Sequence, residues 1–249
     1  MLDYFILFII SVTANAFSAF AGGGAGLFQL PALLFLGATF SMALATHKVA
    51  SIALGVGATI RHYRESPLNR RYIVIILASG LPGVFIGANI ALAIPDRYAE
   101  ISLGILTLFL GIYSRFNAKL GQQQLLQPLD RHRVIIGMLL LMFIGILNGS
   151  LTSGTGLFVT IWLVRWFGFD YKHAVAYTLI LVGLFWNGFG ALTLGLQTSI
   201  IWEWIPALLL GSFLGGYIGA HLSLRQGNKW IKIVFEVLSI AIGIKLIVG

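Results

Sequence analysis

The polar and apolar positions of this chain fall into long apolar runs separated by short polar ones. Ten apolar segments can be read, at 4–20, 26–37, 42–60, 72–93, 99–115, 134–150, 155–167, 173–194, 203–222 and 230–248. Most approach the roughly 20 residues that a helix needs to cross a bilayer. The pattern therefore predicts an all-α, polytopic membrane protein. Segments 26–37 and 155–167 are shorter, and each follows a break made of glycine or small residues. The first break is Gly22-Gly23-Gly24-Ala25-Gly26, and the second is Thr152-Ser153-Gly154-Thr155-Gly156.

The two breaks occupy matching places in two halves of the chain. Gly24-Ala25-Gly26-Leu27-Phe28 aligns with Gly154-Thr155-Gly156-Leu157-Phe158, and Ser18 before it aligns with Asn148. Later, Gly83-Val84-Phe85-Ile86-Gly87-Ala88 aligns with Gly215-Gly216-Tyr217-Ile218-Gly219-Ala220. Shared order and spacing predict an internal duplication. The expected organisation is a first membrane repeat over 1–115, a linker over 116–133 and a second repeat over 134–249.

Charge predicts how the halves are oriented. Arg61, Arg64, Arg70 and Arg71 follow the third segment, and Arg115, Lys119, Arg131 and Arg133 follow the fifth. Arg165 and Lys172 flank the loop after 167, and Arg225, Lys229 and Lys232 lie after 222. The alternate loops hold only Arg97 between 94 and 98 and no Lys or Arg between 195 and 202. Basic loops stay in the cytoplasm. Residue 1 is then outside and the central linker inside, so each half crosses an odd number of times. An odd count turns the second half upside down, the inverted repeat of many secondary transporters. The parity holds whether each broken pair spans the membrane or forms a re-entrant hairpin. A cleaved leader is the competing reading of the first run. That run lacks a positive n-region and matches a segment in mid-chain, so it is expected to stay.

Composition excludes other classes. Of the 249 residues 58% are hydrophobic and 10% charged, against about a quarter charged in soluble domains. The formal charge of +8 sits in loop tracts, not in a stripe interleaved with aromatics, so no nucleic-acid partner is expected. There is no cysteine, which removes disulfides and thiolate metal sites. No metal or cofactor is expected.

A helix that restarts after glycines aims free N–H groups and a positive dipole end at whatever precedes it. Irregular backbone at membrane depth also needs protein or a water-filled cavity to satisfy it. Gly22, Gly23, Gly24, Ala25 and Gly26 in one half, with Gly154, Thr155 and Gly156 in the other, are thus expected to face one small anion from two sides. Thr152, Ser153 and Thr155 add hydroxyls, and Asn148 stands just before the second break. Lys48 lies inside an apolar segment, where it either neutralises the anion or reaches the interface with its long stem. His47 is a candidate proton-coupling group or a packed, hydrogen-bonded histidine. Glu236, four residues after Lys232, reads as half of an i,i+4 ion pair or as a proton relay. Asn15, Asn89, Asn148, Asn187 and His221 read as interhelical hydrogen-bonding groups, and Trp202 and Trp204 as an outer interfacial anchor.

Gly22-Gly23-Gly24-Ala25-Gly26-Leu27-Phe28-Gln29-Leu30-Pro31, followed by Ala45-Thr46-His47-Lys48, resembles the TauE/SafE family of sulfite-exporter-like permeases. The resemblance covers nearly the whole chain. It implies export of sulfite, sulfonates or related organic anions across the bacterial inner membrane, and it adds Thr46 to the candidate binding residues. His47 stands where the family usually has Asn, Ser-Gly-Thr-Gly replaces a glycine run, and Ile161 replaces the second proline. The expected partners are a small anionic solute and the lipid bilayer, with homo-oligomerisation left open.

Two other classes compete. An intramembrane enzyme needs a nucleophile with a base, paired aspartates or His-Glu-x-x-His, and none of these motifs is legible. A non-transporting accessory subunit would show a flat small-residue face without duplicated broken helices. The chain is expected to be a transporter and not an enzyme.

Overall fold

The computed structural model describes residues 2–62, 65–91, 96–151 and 154–248. Among them every regular element is helical. Helices α1 (Leu2–Ala21), α2 (Gly26–Phe35), α3 (Phe40–His62), α4 (Arg70–Ile90), α5 (Asp96–Phe116) and α6 (Arg131–Ser150) are followed by α7 (Thr155–Phe167) and α8 (Tyr171–Gly195). The stretch Ile205–Val248 is two helices, α9 (205–226) and α10 (228–248), turned against each other at Gly227 with φ 77° and ψ 179°. Among the described residues five helices (α1, α3, α4, α6 and α8) are long and apolar enough to cross a membrane.

Starts are set by local chemistry. Asn69 accepts a hydrogen bond from Arg71 N at 2.9 Å, Asp130 from Arg133 N at 2.7 Å and Asp170 from His173 N at 3.0 Å. Each satisfies a first-turn N–H that would otherwise lack an intrahelical partner.

Two details depart from the apolar pattern. The expected loop over 223–229 is helical on both sides of a single residue. Gly227 reaches positive φ without a Cβ penalty, so α10 begins at once. The linker 116–133 is not free: Leu125 N donates to Gly168 O at 2.8 Å and Gln127 N to Phe167 O at 3.0 Å, docking it under the α7–α8 turn. In addition α7 ends in a π-helical stretch, Leu163–Phe167, and α8 contains another, Thr178–Trp186. Apolar spacing is too coarse to show such a change of winding.

The outer surface is apolar. Phe5 and Phe17 on α1, Phe85 on α4, Leu139 on α6 and Leu210 on α9 are all exposed. A ring of large exposed apolar side chains suits lipid and not water. The centre belongs to α3 and α8, where 72% of the most apolar stretch is buried, against 39–44% in α1, α4 and α6. These two helices cross with Gly55 against Gly183: a Cβ at Gly55 would stand 2.6 Å from Leu184 N.

The flanking helices pack through glycine in a pattern that recurs. A Cβ at Gly83 would meet Met142 O at 2.2 Å, and one at Gly87 would meet Ile146 O at 2.1 Å. On the other side, a Cβ at Gly215 would meet Val12 O at 2.4 Å, and one at Gly219 would meet Ala16 O at 2.1 Å. Gly83 and Gly87 become Gly215 and Gly219 on shifting by 132 residues, and Val12 and Ala16 become Met142 and Ile146 on shifting by 130. Helix α4 thus lies on α6 as α9 lies on α1. Small residues let these backbones meet, the usual basis of helix association in lipid.

Candidate functional site

The first break leaves α1 through three glycines with positive φ: Gly22 at 88°, Gly23 at 143° and Gly24 at 107°. Ser18 O accepts from both Gly22 N and Gly23 N at 2.8 Å, closing α1. The N–H groups of Gly24 and Ala25 donate to no described group, and α2 starts without a side-chain cap. The second break restarts at Gly154, with φ 73°, and α7 also starts without a side-chain cap. Two helix starts therefore lie at the breaks, each a place of partial positive charge.

The breaks touch. A Cβ at Gly23 would stand 2.6 Å from Gly156 Cα and 2.6 Å from Leu157 N, and one at Gly156 would stand 2.8 Å from Gly23 Cα. Only backbone fits there. Thr160 on α7 adds a tie, donating to Gly22 O at 2.8 Å.

Beside this contact is a cavity of about 40 Å³ open to the centres of water-sized spheres. One water needs about 10–15 Å³ on that measure, so the space admits a solute of a few heavy atoms. Gly23, Gly24, Ala25 and Gly26 line it from the first break; Asn148, Thr155 and Gly156 line it from the second; His47 lines it from α3. Ser18, Ser51, Thr178 and Asn187 supply further polar surface, and Leu54, Leu179, Val182 and Gly183 close it. Gly22 and Gly154 hold the breaks in shape without lining the cavity. Thr152 and Ser153 lie outside the described residues, as does Arg64 of the basic loop. Thr46 is placed elsewhere: its hydroxyl accepts from Ile201 N at 3.0 Å and anchors the segment before α9.

Lys48 does not reach the interface. Its side chain is fully buried, and the ammonium donates to Asn148 O at 2.8 Å, Asn148 Oδ1 at 3.1 Å and Asn187 Oδ1 at 3.3 Å. Asn148 also donates to Thr155 Oγ1 at 2.9 Å. The lysine thus joins α3 to α6, α7 and α8, one hydrogen bond behind the cavity wall. Among the described residues no carboxylate lies within ion-pair distance of it.

His47 sits in a polar chain. Its Nδ1 is 2.7 Å from Gln29 Oε1 and its Nε2 is 3.2 Å from Ser51 Oγ. Gln29 Nε2 donates to Ser11 Oγ at 3.1 Å, and Ser11 Oγ donates to Leu208 O at 2.9 Å. Because the serine hydrogen goes to that carbonyl, the amide orientation follows, and Nδ1 of His47 is the donor to Gln29. Serine, imidazole and an orienting amide in line resemble a hydrolase triad, but two features oppose that use. Ser51 Oγ donates back to His47 O at 2.9 Å, and a neutral amide cannot stabilise an imidazolium as a carboxylate does. Gln29, Ser51 and Asn187 are absent from the residues singled out by sequence for this cavity. The signals available for them were slight: Gln29 is a lone polar residue in an apolar segment, and Ser51 lies one helical turn after His47.

Glu236 and Lys232 form the buried i,i+4 pair expected of them. Ser114 completes it: Lys232 Nζ donates to Ser114 O at 2.6 Å, and Ser114 Oγ donates to Glu236 Oε1 at 3.0 Å. The pair locks α5 to α10 and is absent from the cavity lining. Asn15 donates across to Ser212 Oγ at 3.0 Å, and Arg61 Nε donates to His221 Nδ1 at 2.9 Å, so both join helices. Asn89 mainly donates to Phe85 O of its own helix, at 2.8 Å.

Comparison with known proteins agrees with this architecture. The sequence profile of the family described as Sulfite exporter TauE/SafE matches residues 7–246. A Probable membrane transporter protein of Haemophilus influenzae is 29% identical over 97% of this chain and 93% of its own length. The Probable membrane transporter protein YfcA of Escherichia coli is 28% identical over 97% of this chain and 88% of its own. A Probable membrane transporter protein of Bacillus subtilis, YunE, is 21% identical over 99% and 98%. With broken helices meeting at a small polar cavity inside an apolar bundle, and a profile match from end to end, the chain belongs to the sulfite exporter TauE/SafE family of membrane transport proteins.

Proposed function

We propose that this protein is a secondary transporter that exports a small anion by alternating access. It would sit in the bacterial inner membrane with its N-terminus outside, as two inverted repeats over 1–115 and 134–249 joined by the linker 116–133. The observation that carries the reading is the meeting of two helix starts at one cavity, with a buried ammonium behind its wall. N–H groups, helix dipoles and a fixed positive charge all favour an anion there. The recurring glycine contacts of α4 on α6 and α9 on α1 support the repeats, since two equivalent pairings are what an inverted duplication needs in order to rock between two states.

The cavity volume supports a compact anion such as sulfite over one with a bulky organic tail. No Gly-x-x-x-x-Gly-Lys-Ser/Thr loop occurs in the sequence, so the driving force is an ion gradient or the membrane potential. One negative charge leaving a cell gains about 2.3 kcal/mol per 100 mV, equivalent to roughly a 50-fold gradient. The test is anion flux in proteoliposomes with potential and pH gradient imposed separately. Sulfite flux that follows the potential is expected. Flux that ignores the potential, follows pH and vanishes in His47→Asn would replace potential-driven export by proton coupling at His47. An absence of flux for any small anion would remove the transport assignment.

A further inference from the structure

The surroundings of Lys48 have a chemistry of their own on the far side of Asn148 and Asn187, which also line the cavity. Three oxygens converge on Nζ: the main-chain carbonyl of Asn148, at the end of α6, and the side-chain carbonyls of Asn148 and Asn187. All three are neutral acceptors. A neutral amine carries two N–H donors and would turn its lone pair toward one of these oxygens; only the ammonium has a donor for each. The three contacts therefore hold the charged form.

The stem is also accommodated. A Cβ at Gly190 on α8 would stand 2.9 Å from Lys48 Cδ and 3.0 Å from its Cε. The lysine passes over a helix surface that has no side chain at that point. Its ammonium ends where the carbonyl dipoles of α6 point, at the negative end of that helix. The oxygen distances, 2.8 to 3.3 Å, are hydrogen-bond lengths. They exceed the roughly 2.0–2.6 Å at which hard metal cations take oxygen ligands.

We infer that Asn148 O, Asn148 Oδ1 and Asn187 Oδ1 form a receptor for a primary ammonium group, which Lys48 fills as a tethered counter-cation. The protein thus carries its own fixed positive charge next to the second break, and the carbonyl end of α6 is held by that charge. The consequence is that the native protein takes no free cation at this position, whereas a chain shortened at Lys48 accepts one. The inference concerns the cation alone and does not depend on which solute the cavity carries.

Lys48→Ala retains Cβ and removes a propylamine. The purified variant is heated in detergent in propylammonium chloride and, at equal ionic strength, in choline chloride. Propylammonium is expected to raise the melting temperature of Lys48→Ala in a saturable way and to leave the native protein and Lys48→Met unmoved. A folded Lys48→Ala that shows no selective shift, or a Lys48→Met that shifts equally, overturns the receptor. A second pair of variants covers the case in which Lys48→Ala does not fold. Asn187→Asp, which sets a carboxylate beside the ammonium, is expected to melt well above Asn187→Leu, which deletes an acceptor at similar size. Asn187→Asp melting at or below Asn187→Leu would mean that no charge resides on Lys48, and would overturn the inference. Both readouts are melting temperatures, so a failure of anion transport does not affect them.

Discussion

The contact between the two breaks can be tested with a pair of single-methyl additions. In Gly156→Ala the residue keeps an ordinary helical backbone, but its Cβ would stand 2.8 Å from Gly23 Cα. The atom it meets is main chain and cannot rotate away, so the breaks must separate or the helix α7 must shift. Overpacking of this kind costs about 1–3 kcal/mol. In Gly23→Ala the new Cβ would meet Gly156 Cα at 2.6 Å, and the residue also has φ 143°. A backbone conformation nearly confined to glycine adds about 1–3 kcal/mol for any other residue. The sum is roughly 2–6 kcal/mol, so Gly23→Ala should be the more damaging variant. The assay is thermal unfolding of both variants in detergent, followed by anion flux in liposomes for whatever stays folded. Gly156→Ala should fold and transport poorly, because separating the breaks reshapes the cavity between them. Both variants keeping native melting temperature and native flux would refute the contact and the site built on it. Equal loss in both would refute only the strain assigned to Gly23.

Three further outcomes are expected. Single cysteines at Asn69, Asn117 and Gln197, probed on whole cells with an impermeant thiol reagent, should label at position 197 only; labelling at 69 or 117 contradicts the inverted orientation. Glu236→Ala leaves Lys232 buried without its carboxylate and should cost about 3–5 kcal/mol, whereas Lys232→Met with Glu236→Leu together should come near neutral; unfolding curves of the three proteins decide, and equal losses would deny the coupling. Asp170 caps α8: burial pushes its carboxyl up, but hydrogen bonds from His173 and Asn228 outweigh this and hold it below its ordinary value. A depressed carboxyl adds stability above its unfolded value that is lost as pH falls through the folded one. Acid melting in that window should therefore be shallower in Asp170→Asn than in the native protein, and identical slopes would remove Asp170 from the account.

Much of this protein follows from the order of its residues. The ten apolar segments correspond to the ten helices of the described residues because in lipid every backbone group must be satisfied within its own helix. Length and apolarity therefore translate into structure with little help from neighbours. The positions of both breaks were legible for a related reason: glycine in a short apolar segment, repeated at matching places, has few other uses. The i,i+4 pairing of Lys232 with Glu236 was equally local. What tertiary structure alone decided is where distant groups converge. Nothing in the sequence says that Gly23 meets Gly156, since that contact depends on the crossing of helices from both halves. The distance of Lys48 from its helix end left interface and interior equally open, and it was Gly190 together with Asn148 and Asn187, 100 and 139 residues away, that took it inward. Thr46 stands beside His47 in sequence but, on a helix, neighbours point about 100° apart, so one faces the cavity and the other the segment before α9. Gln29 and Ser51 went unremarked because a single polar residue in an apolar run acquires a role only when the helix packed against it supplies a partner.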